Sequence, residues 1–278
     1  MAKSDNSRKR KTSGTSRKTY QQHSFPKKTN RPEQRQKTAA NPNLVRLNRY
    51  VANAGICSRR EADTYIAAGN ITVNGKVITE MGFKVKRTDD VRFDGRKLNP
   101  EKKEYVLLNK PKNFITTTSD EKGRRTVMEL VSSASNARLL PVGRLDRNTT
   151  GLLLFTNDGD LTTKLTHPKH GIRKIYQVTL NESLRMADLQ KIEAGLELDD
   201  GPVQVDTVSY IQGAPKREVG VAIHSGRNRI VRRIFEYLGY TVVKLDRVVF
   251  AGLTKKDLPR GHWRHLTQQE VANLKMIQ

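Results

Sequence analysis

The sequence predicts an α+β fold in two parts. A small module of a helix pair and a hairpin comes first, then a larger domain whose mixed, mostly antiparallel sheet is flanked by helices. Three observations carry this expectation. Residues 44–78 hold two short helical patterns and then two apolar strands around Asn74-Gly75, the pair favoured in two-residue hairpin turns. From Tyr105 onward, strand and helix signals mix without the regular rhythm of a parallel βαβ sheet. Finally, Val219-x-Val221-x-Ile223 alternates as a half-buried strand of an antiparallel sheet does.

The chain has 278 residues, 52 Lys and Arg against 28 Asp and Glu, and a formal net charge of +24. An excess of that size points to a polyanionic partner, with nucleic acid as the default. No apolar run approaches the roughly 20 residues that cross a bilayer, and the basic N-terminus lacks the apolar segment of a secretory signal. The single cysteine, Cys57, allows no internal disulfide and fits a reducing, cytoplasmic setting. With one thiol and six scattered histidines, no metal site is expected. His167 and His170 have ligand-like spacing, but Pro168 and the lack of further ligands argue against one.

Residues 1–43 are rich in Lys, Arg, Ser, Thr, Gln and Asn and nearly free of aliphatic side chains. They cannot bury enough surface to offset ordering entropy, so a disordered basic tail with affinity for RNA phosphates is expected. The composition turns globular at Leu44. Leu47, Tyr50, Val51 and Ala54 recur at helical spacing before Gly55. Ser58-Arg59-Arg60-Glu61 is a capping box that opens a second helix through Ala62, Tyr65 and Ile66 to Gly69. Ile71–Val73 and Lys76–Ile78 then form the hairpin, and Arg46, Arg49, Arg59 and Arg60 cluster at the two helix starts. Residues 98–104 read as a linker and 105–278 as the larger domain. Its strand candidates are Tyr105–Asn109, Leu152–Phe155, Tyr176–Leu180, Val219–Ile223 and Thr241–Leu245. Its helix candidates are 183–196, 228–238 and 267–275, the last opened by a Thr267-x-x-Glu270 capping box.

The chemistry-bearing stretch is Gly143-Arg144-Leu145-Asp146-Arg147, which runs through Thr149 into Gly151-Leu152-Leu153-Leu154-Phe155. A carboxylate between two arginines, on a loop beside a strand buried on both faces, suits a nucleophile or general base. The competing reading is a surface aspartate making local ion pairs. Tyr176 begins a strand, where its ring packs in a core or stacks on a nucleobase. The run Gly226-Arg227-Asn228-Arg229-Ile230-Val231-Arg232-Arg233 reads as a helix with basic margins, suited to phosphate contact and to pairing one arginine with a buried carboxylate.

Two resemblances follow. Residues 44–97 resemble an S4 RNA-binding domain, on Arg46-Leu47-Asn48-Arg49, Ser58-Arg59-Arg60-Glu61 and Val73-Asn74-Gly75-Lys76. With the larger domain, the chain resembles the RsuA-type pseudouridine synthases that modify ribosomal RNA. The residues that carry this are Gly143-Arg144-Leu145-Asp146-x-x-Thr149-x-Gly151, Asn109-Lys110-Pro111, Lys174-x-Tyr176 and Gly226-Arg227-Asn228-Arg229. The resemblance implies isomerisation of uridine to pseudouridine, more in keeping with large-subunit (23S) RNA. Asp146 would be the nucleophile, Tyr176 would lie against the uracil, Arg232 would pair with Asp146, and Arg144 would help evict the base. Arg46, Arg49, Arg59, Arg60, Lys76, Arg227, Arg229 and Arg233 would contact RNA. No cofactor or metal is implied. The implied partner of this monomeric, cytoplasmic, non-membrane protein is ribosomal RNA, free or in a subunit precursor. The alternative is a non-catalytic ribosome-assembly factor that only binds ribosomal RNA.

Overall fold

A computed structural model describes residues 43–99 and 101–277. The predicted basic tail lies, but for Asn43, outside the described residues. The first part runs β1 (Leu44–Arg46), α1 (Leu47–Asn53), α2 (Arg59–Ala67), β2 (Ile71–Val73), β3 (Lys76–Val77), β4 (Lys84–Lys86), β5 (Val91–Phe93) and β6 (Arg96–Lys97). The predicted capping box opens α2. The Ser58 hydroxyl accepts from the Glu61 N–H at 3.2 Å, and the Glu61 carboxylate accepts from the Ser58 N–H at 2.6 Å. Asn74 and Gly75 both take the left-handed φ, at 50° and 80°, that a tight hairpin turn requires. Leu47, Val51, Ala62, Ile66, Ile71, Val85 and Val91 close a small core. A short sheet in the order β3-β2-β5-β6 extends the predicted hairpin.

The second part runs β7 (Tyr105–Lys110), α3 (Val127–Val131), β8 (Leu140–Pro141), β9 (Thr150–Thr156), α4 (Gly159–Thr166), β10 (Lys174–Leu180) and α5 (Met186–Ala194). It continues with β11 (Leu196–Leu198), β12 (Gly201–Val203), β13 (Thr207–Tyr210), β14 (Glu218–Ile223) and α6 (Ile230–Tyr237). It ends with β15 (Val242–Phe250), β16 (Leu253–Thr254), β17 (Trp263–His265) and α7 (Gln268–Met276). The main sheet has the order β13-β14-β10-β15-β9-β7-β17. Every pair is antiparallel except β15 with β9, which run parallel. The fold is α+β, as the sequence predicts.

The apolar run in β9 is buried on both faces. Leu152 and Leu154 enter one core with Leu107, while Leu153 and Phe155 enter another with Val106 and Leu108. A third core lies under α6, where Ile230, Val231, Ile234 and Phe235 meet the β10 and β14 valines. Gly151 permits the parallel contact between β9 and β15. Its φ is +106°, and a Cβ there would overlap the Arg247 backbone and lie 2.6 Å from the Asp246 carboxylate. Gly151→Ala is therefore expected to cost about 3 kcal/mol or more through strain and overpacking. Urea denaturation would show it, and a shift below about 0.5 kcal/mol would refute the crowding argument.

The two parts are fastened together. Arg49 of α1 pairs with Asp160 in the first turn of α4. Lys103 pairs with Asp158 at 2.7 Å, and Asp158 also caps α4 and accepts from the Tyr105 hydroxyl. Asn157 accepts from the Glu104 N–H and donates to the Lys102 carbonyl, both at 2.9 Å. Described residues of the expected linker thus have fixed partners, and Leu98 is buried in the first core.

Candidate active site

Asp146 sits on the loop between β8 and β9, and that loop is held from beneath. Leu145, just before it, is buried, and its backbone is gripped from both sides by Thr116. The Thr116 hydroxyl donates to the Leu145 carbonyl at 2.8 Å and accepts from the Leu145 N–H at 3.2 Å. The larger anchor is Lys110, whose side chain is fully buried at the end of β7. Its ammonium donates to the carbonyls of Asp146 (3.1 Å), Arg147 (3.3 Å), Thr149 (2.8 Å) and Pro111 (3.1 Å). Burial lowers its pKa to about 8, since desolvation disfavours the charged form. The sequence marks Asn109-Lys110-Pro111 but gives no sign that the lysine reaches across to residues 146–149.

The Asp146 carboxylate is half exposed and faces a cavity of about 180 Å³ that Tyr176 and Arg144 also line. A wider groove of about 500 Å³ continues from it between Thr116 and the 226–229 segment. Arg144, Arg147, Arg227 and Arg229 line that groove. The structure thus brings Asp146, Tyr176 and Arg144 together.

Arg232 departs from the expected Asp146 pair. Its guanidinium is buried and donates to the Val242 carbonyl at 2.8 Å. The ion pair that Asp146 makes is with Arg229, Nη1 to Oδ2 at 3.9 Å. Helix geometry is the cause. Arg229 is the N-cap of α6, held at the left-handed φ of 48°, which sets its side chain at the cavity mouth. Arg232 lies on the face of α6 that packs inward. Burial lowers the Arg232 pKa and neighbouring Arg229 adds to this, while the Asp146 charge works against both. A left-handed non-glycine residue carries backbone strain of the kind that collects at functional sites.

Three of the expected RNA contacts are also engaged elsewhere. Arg49 ties α1 to Asp160, Arg227 donates to the Asp200 and Gly201 carbonyls, and Arg233 pairs with Asp199 and Asp200. Arginines read from sequence as phosphate contacts are here partnered by residues distant in the chain. Arg46, Arg59, Arg60 and Lys76 are exposed, as an RNA-facing surface requires.

Two cavity residues have no forecast role. Arg247 on β15 is buried, and its Nε donates to the Leu152 carbonyl at 2.8 Å. Its guanidinium lies 4.4 Å from the Phe250 ring and interacts with the Tyr176 phenol, while burial lowers its pKa. The predicted strand stops at Leu245, two residues short of it. Lys174 donates to the His224 carbonyl at 2.8 Å and to the Ser225 carbonyl at 3.4 Å, tying the Tyr176 strand to the arginine segment. Burial lowers its pKa to about 8, with nearby Arg247 adding and Asp206 opposing.

A loop-mounted carboxylate, a phenol and arginines surround one small cavity. Comparisons with known proteins specify the class. Residues 45–91 match the S4 domain and residues 104–237 match the RNA pseudouridylate synthase family. The chain is 40% identical over 237 residues to "Ribosomal large subunit pseudouridine synthase B" of Bacillus subtilis, covering 84% of this chain and 97% of that protein. It is 35% identical to "Dual-specificity RNA pseudouridine synthase RluF" of Escherichia coli, covering 83% and 78% respectively. A solved structure described as "Crystal structure of pseudouridylate synthase" superposes with a TM-score of 0.59 at 28% identity, over 83% of this chain and 99% of that one.

The chain belongs to the RNA pseudouridylate synthase family, in its S4-domain-containing, RsuA-type form. It is an RNA pseudouridine synthase, an enzyme that isomerises uridine to pseudouridine.

Proposed function

We propose that the protein isomerises specific uridines in ribosomal RNA, with large-subunit RNA as the substrate and Asp146 as the nucleophile. The observation that carries this reading is the Asp146 loop. Its carboxylate lines a cavity with Tyr176, it opens onto an arginine groove, and its backbone is fixed by a buried lysine. The name of the Bacillus subtilis relative supports the substrate class.

The target nucleotide leaves its stack at a cost of a few kcal/mol, met by phosphate contacts in the groove and on the S4 domain. Arg144 fills the vacated place. The N1–C1′ bond breaks, uracil turns, and a C5–C1′ bond forms. The C5 proton then leaves through Tyr176, against the base, whose oxygen accepts it as the phenol's own proton passes to water. Asp146 acts by adding to C6 or by attack or elimination at the ribose. Either role needs a carboxylate in a fixed place, which Arg229 and Lys110 supply from its two ends. Arg46, Arg59, Arg60 and Lys76 bind flanking RNA structure. The protein works as a monomer on free RNA or a subunit precursor in the cytoplasm. No helix among the described residues is long and apolar enough to cross a membrane.

Mapping pseudouridines in ribosomal RNA from a strain lacking the gene tests the assignment. At least one large-subunit position should revert to uridine and return on complementation. An unchanged map, with no tritium released by purified protein from C5-tritiated ribosomal RNA, would leave only a binding role. Arg229→Gln is expected to lower kcat/KM roughly tenfold to a hundredfold, less than the loss of about 10²–10³ at a buried preorganised donor because this pair is half exposed. Steady-state tritium release reads this directly, and a change under about twofold would remove Arg229 from the site.

A further inference from the structure

Arg227 and Arg233 read in the sequence as RNA contacts, yet both meet the tip of the β11–β12 hairpin. The Asp200 carboxylate accepts from Arg233 Nη1 at 2.8 Å and Nη2 at 2.6 Å, and lies 3.1 Å from Arg227 Nη1. The Asp199 carboxylate reaches Arg233 Nη2 as well. A fork of guanidinium N–H groups on two carboxylate oxygens is the same pairing that arginine makes with phosphate. The hairpin thus presents to these arginines what an RNA backbone would present.

The location gives the arrangement its meaning. Arg227 lines both the Asp146 cavity and the adjoining groove, so the carboxylates stand at the edge of the substrate path. The Asp199 side chain is 86% exposed and the Arg233 side chain 21% exposed, so the acid is open to solvent while the base is largely shielded. The hairpin itself is anchored: Leu198 and Val203 are buried, and the Asp200 and Gly201 carbonyls accept from Arg227. Its carboxylates can turn away and free Arg233, while the backbone stays and keeps Arg227 in place at the cavity. These pairs are bidentate and shared among two carboxylates, stronger than a lone exposed ion pair, so a well-placed phosphate displaces them and a poorly placed one does not.

We propose that Arg227 and Arg233 form a phosphate-binding surface beside the Asp146 cavity, masked in the free protein by Asp199 and Asp200. The two carboxylates are then specificity determinants: RNA must offer phosphates in the right geometry to replace them. This rests on the RNA-substrate reading of the groove.

The test is binding of polyuridylate and of protein-free ribosomal RNA across a salt series. The double variant Asp199→Asn, Asp200→Asn should bind polyuridylate roughly tenfold more tightly at about 0.1 M salt. Its plot of log affinity against log salt should steepen by about 0.7 to 1.4, which is one or two added single-strand phosphate contacts. The gain on ribosomal RNA should be smaller, so discrimination narrows. Asp199→Asn alone, at an exposed position, should give about half the change. Arg233→Gln should matter little in the native background and cancel the gain in the double variant. Unchanged or weaker polyuridylate binding, with an unchanged slope, overturns the proposal and makes the carboxylates mere supports for the arginines. Turnover of ribosomal RNA by the native protein is scored separately. Its absence sinks the substrate assignment, whereas turnover with a flat response in the variants sinks only the masking.

Discussion

Replacing Asp146 with asparagine is expected to abolish pseudouridine formation, by on the order of 10⁴-fold or more, while RNA still binds. The amide has the shape of the carboxylate but neither its charge nor its nucleophilic oxygen. The loop should keep its form, because Lys110 and Thr116 grip it through backbone groups of residues 145–149 and not through the Asp146 side chain. RNA affinity should rise slightly, since one negative charge leaves a groove lined by Arg144, Arg147, Arg227 and Arg229. Tritium release from C5-labelled ribosomal RNA measures the first effect and fluorescence anisotropy the second. Release within tenfold of the native rate would refute the nucleophile assignment. A collapse of RNA binding would show instead that the loop itself had been lost.

The second large effect is expected at Lys110. Lys110→Met fills the space but leaves the carbonyls of Asp146, Arg147, Thr149 and Pro111 without their donor. Orphaned buried acceptors should cost about 2–4 kcal/mol of stability, softened because an ammonium no longer has to be buried. Displacement of the nucleophile by about 1 Å should cost kcat on the order of 10²-fold. KM should change less, because the groove arginines keep their places.

The pH dependence of this site has two opposite signs. The Lys110 pKa falls from 10.5 to about 8 on folding. Between those values the unfolded chain holds more protons than the folded one, so this group's contribution to stability rises with pH. Below about pH 8 the cost of burying the ammonium is present in full. Activity should move the other way, because the neutral amine has fewer N–H groups for the carbonyls beneath Asp146, and kcat should fall above about pH 8. Lys174 titrates in the same range, so the difference between native protein and Lys110→Met isolates the Lys110 part. Urea midpoints and kcat followed from pH 7 to 9.5 supply both readouts. An identical alkaline limb in the two proteins would refute the Lys110 assignment.

Local features of this chain were legible in its sequence because their causes are local. Ser58 and Glu61 cap one helix, Thr267 and Glu270 another, and Asn74-Gly75 turns the hairpin, each through partners no more than three residues apart. The Leu152–Phe155 run read as buried on both faces because apolar period alone reports it, and the structure splits it between two cores. Asp146 and Tyr176 stand out by their local chemistry, the resemblance gives Arg144 its role, and all three share one cavity.

What joins residues far apart in the chain came only from the tertiary structure. Lys110 reaches the Asp146 loop 36 residues on, Arg247 crosses to the Leu152 carbonyl 95 residues away, and Arg233 meets Asp200 across 33. A sequence pattern fixes which face of a helix is apolar, but not which acid a given arginine will meet. That choice depends on where the sheet places other strands and on the start of α6, where Arg229 faces Asp146 and Arg232 meets Val242. Composition, caps, turns and the aspartate motif thus belonged to the sequence alone. Which acid or carbonyl each arginine meets was decided by packing, because charge partners are set by distance in space.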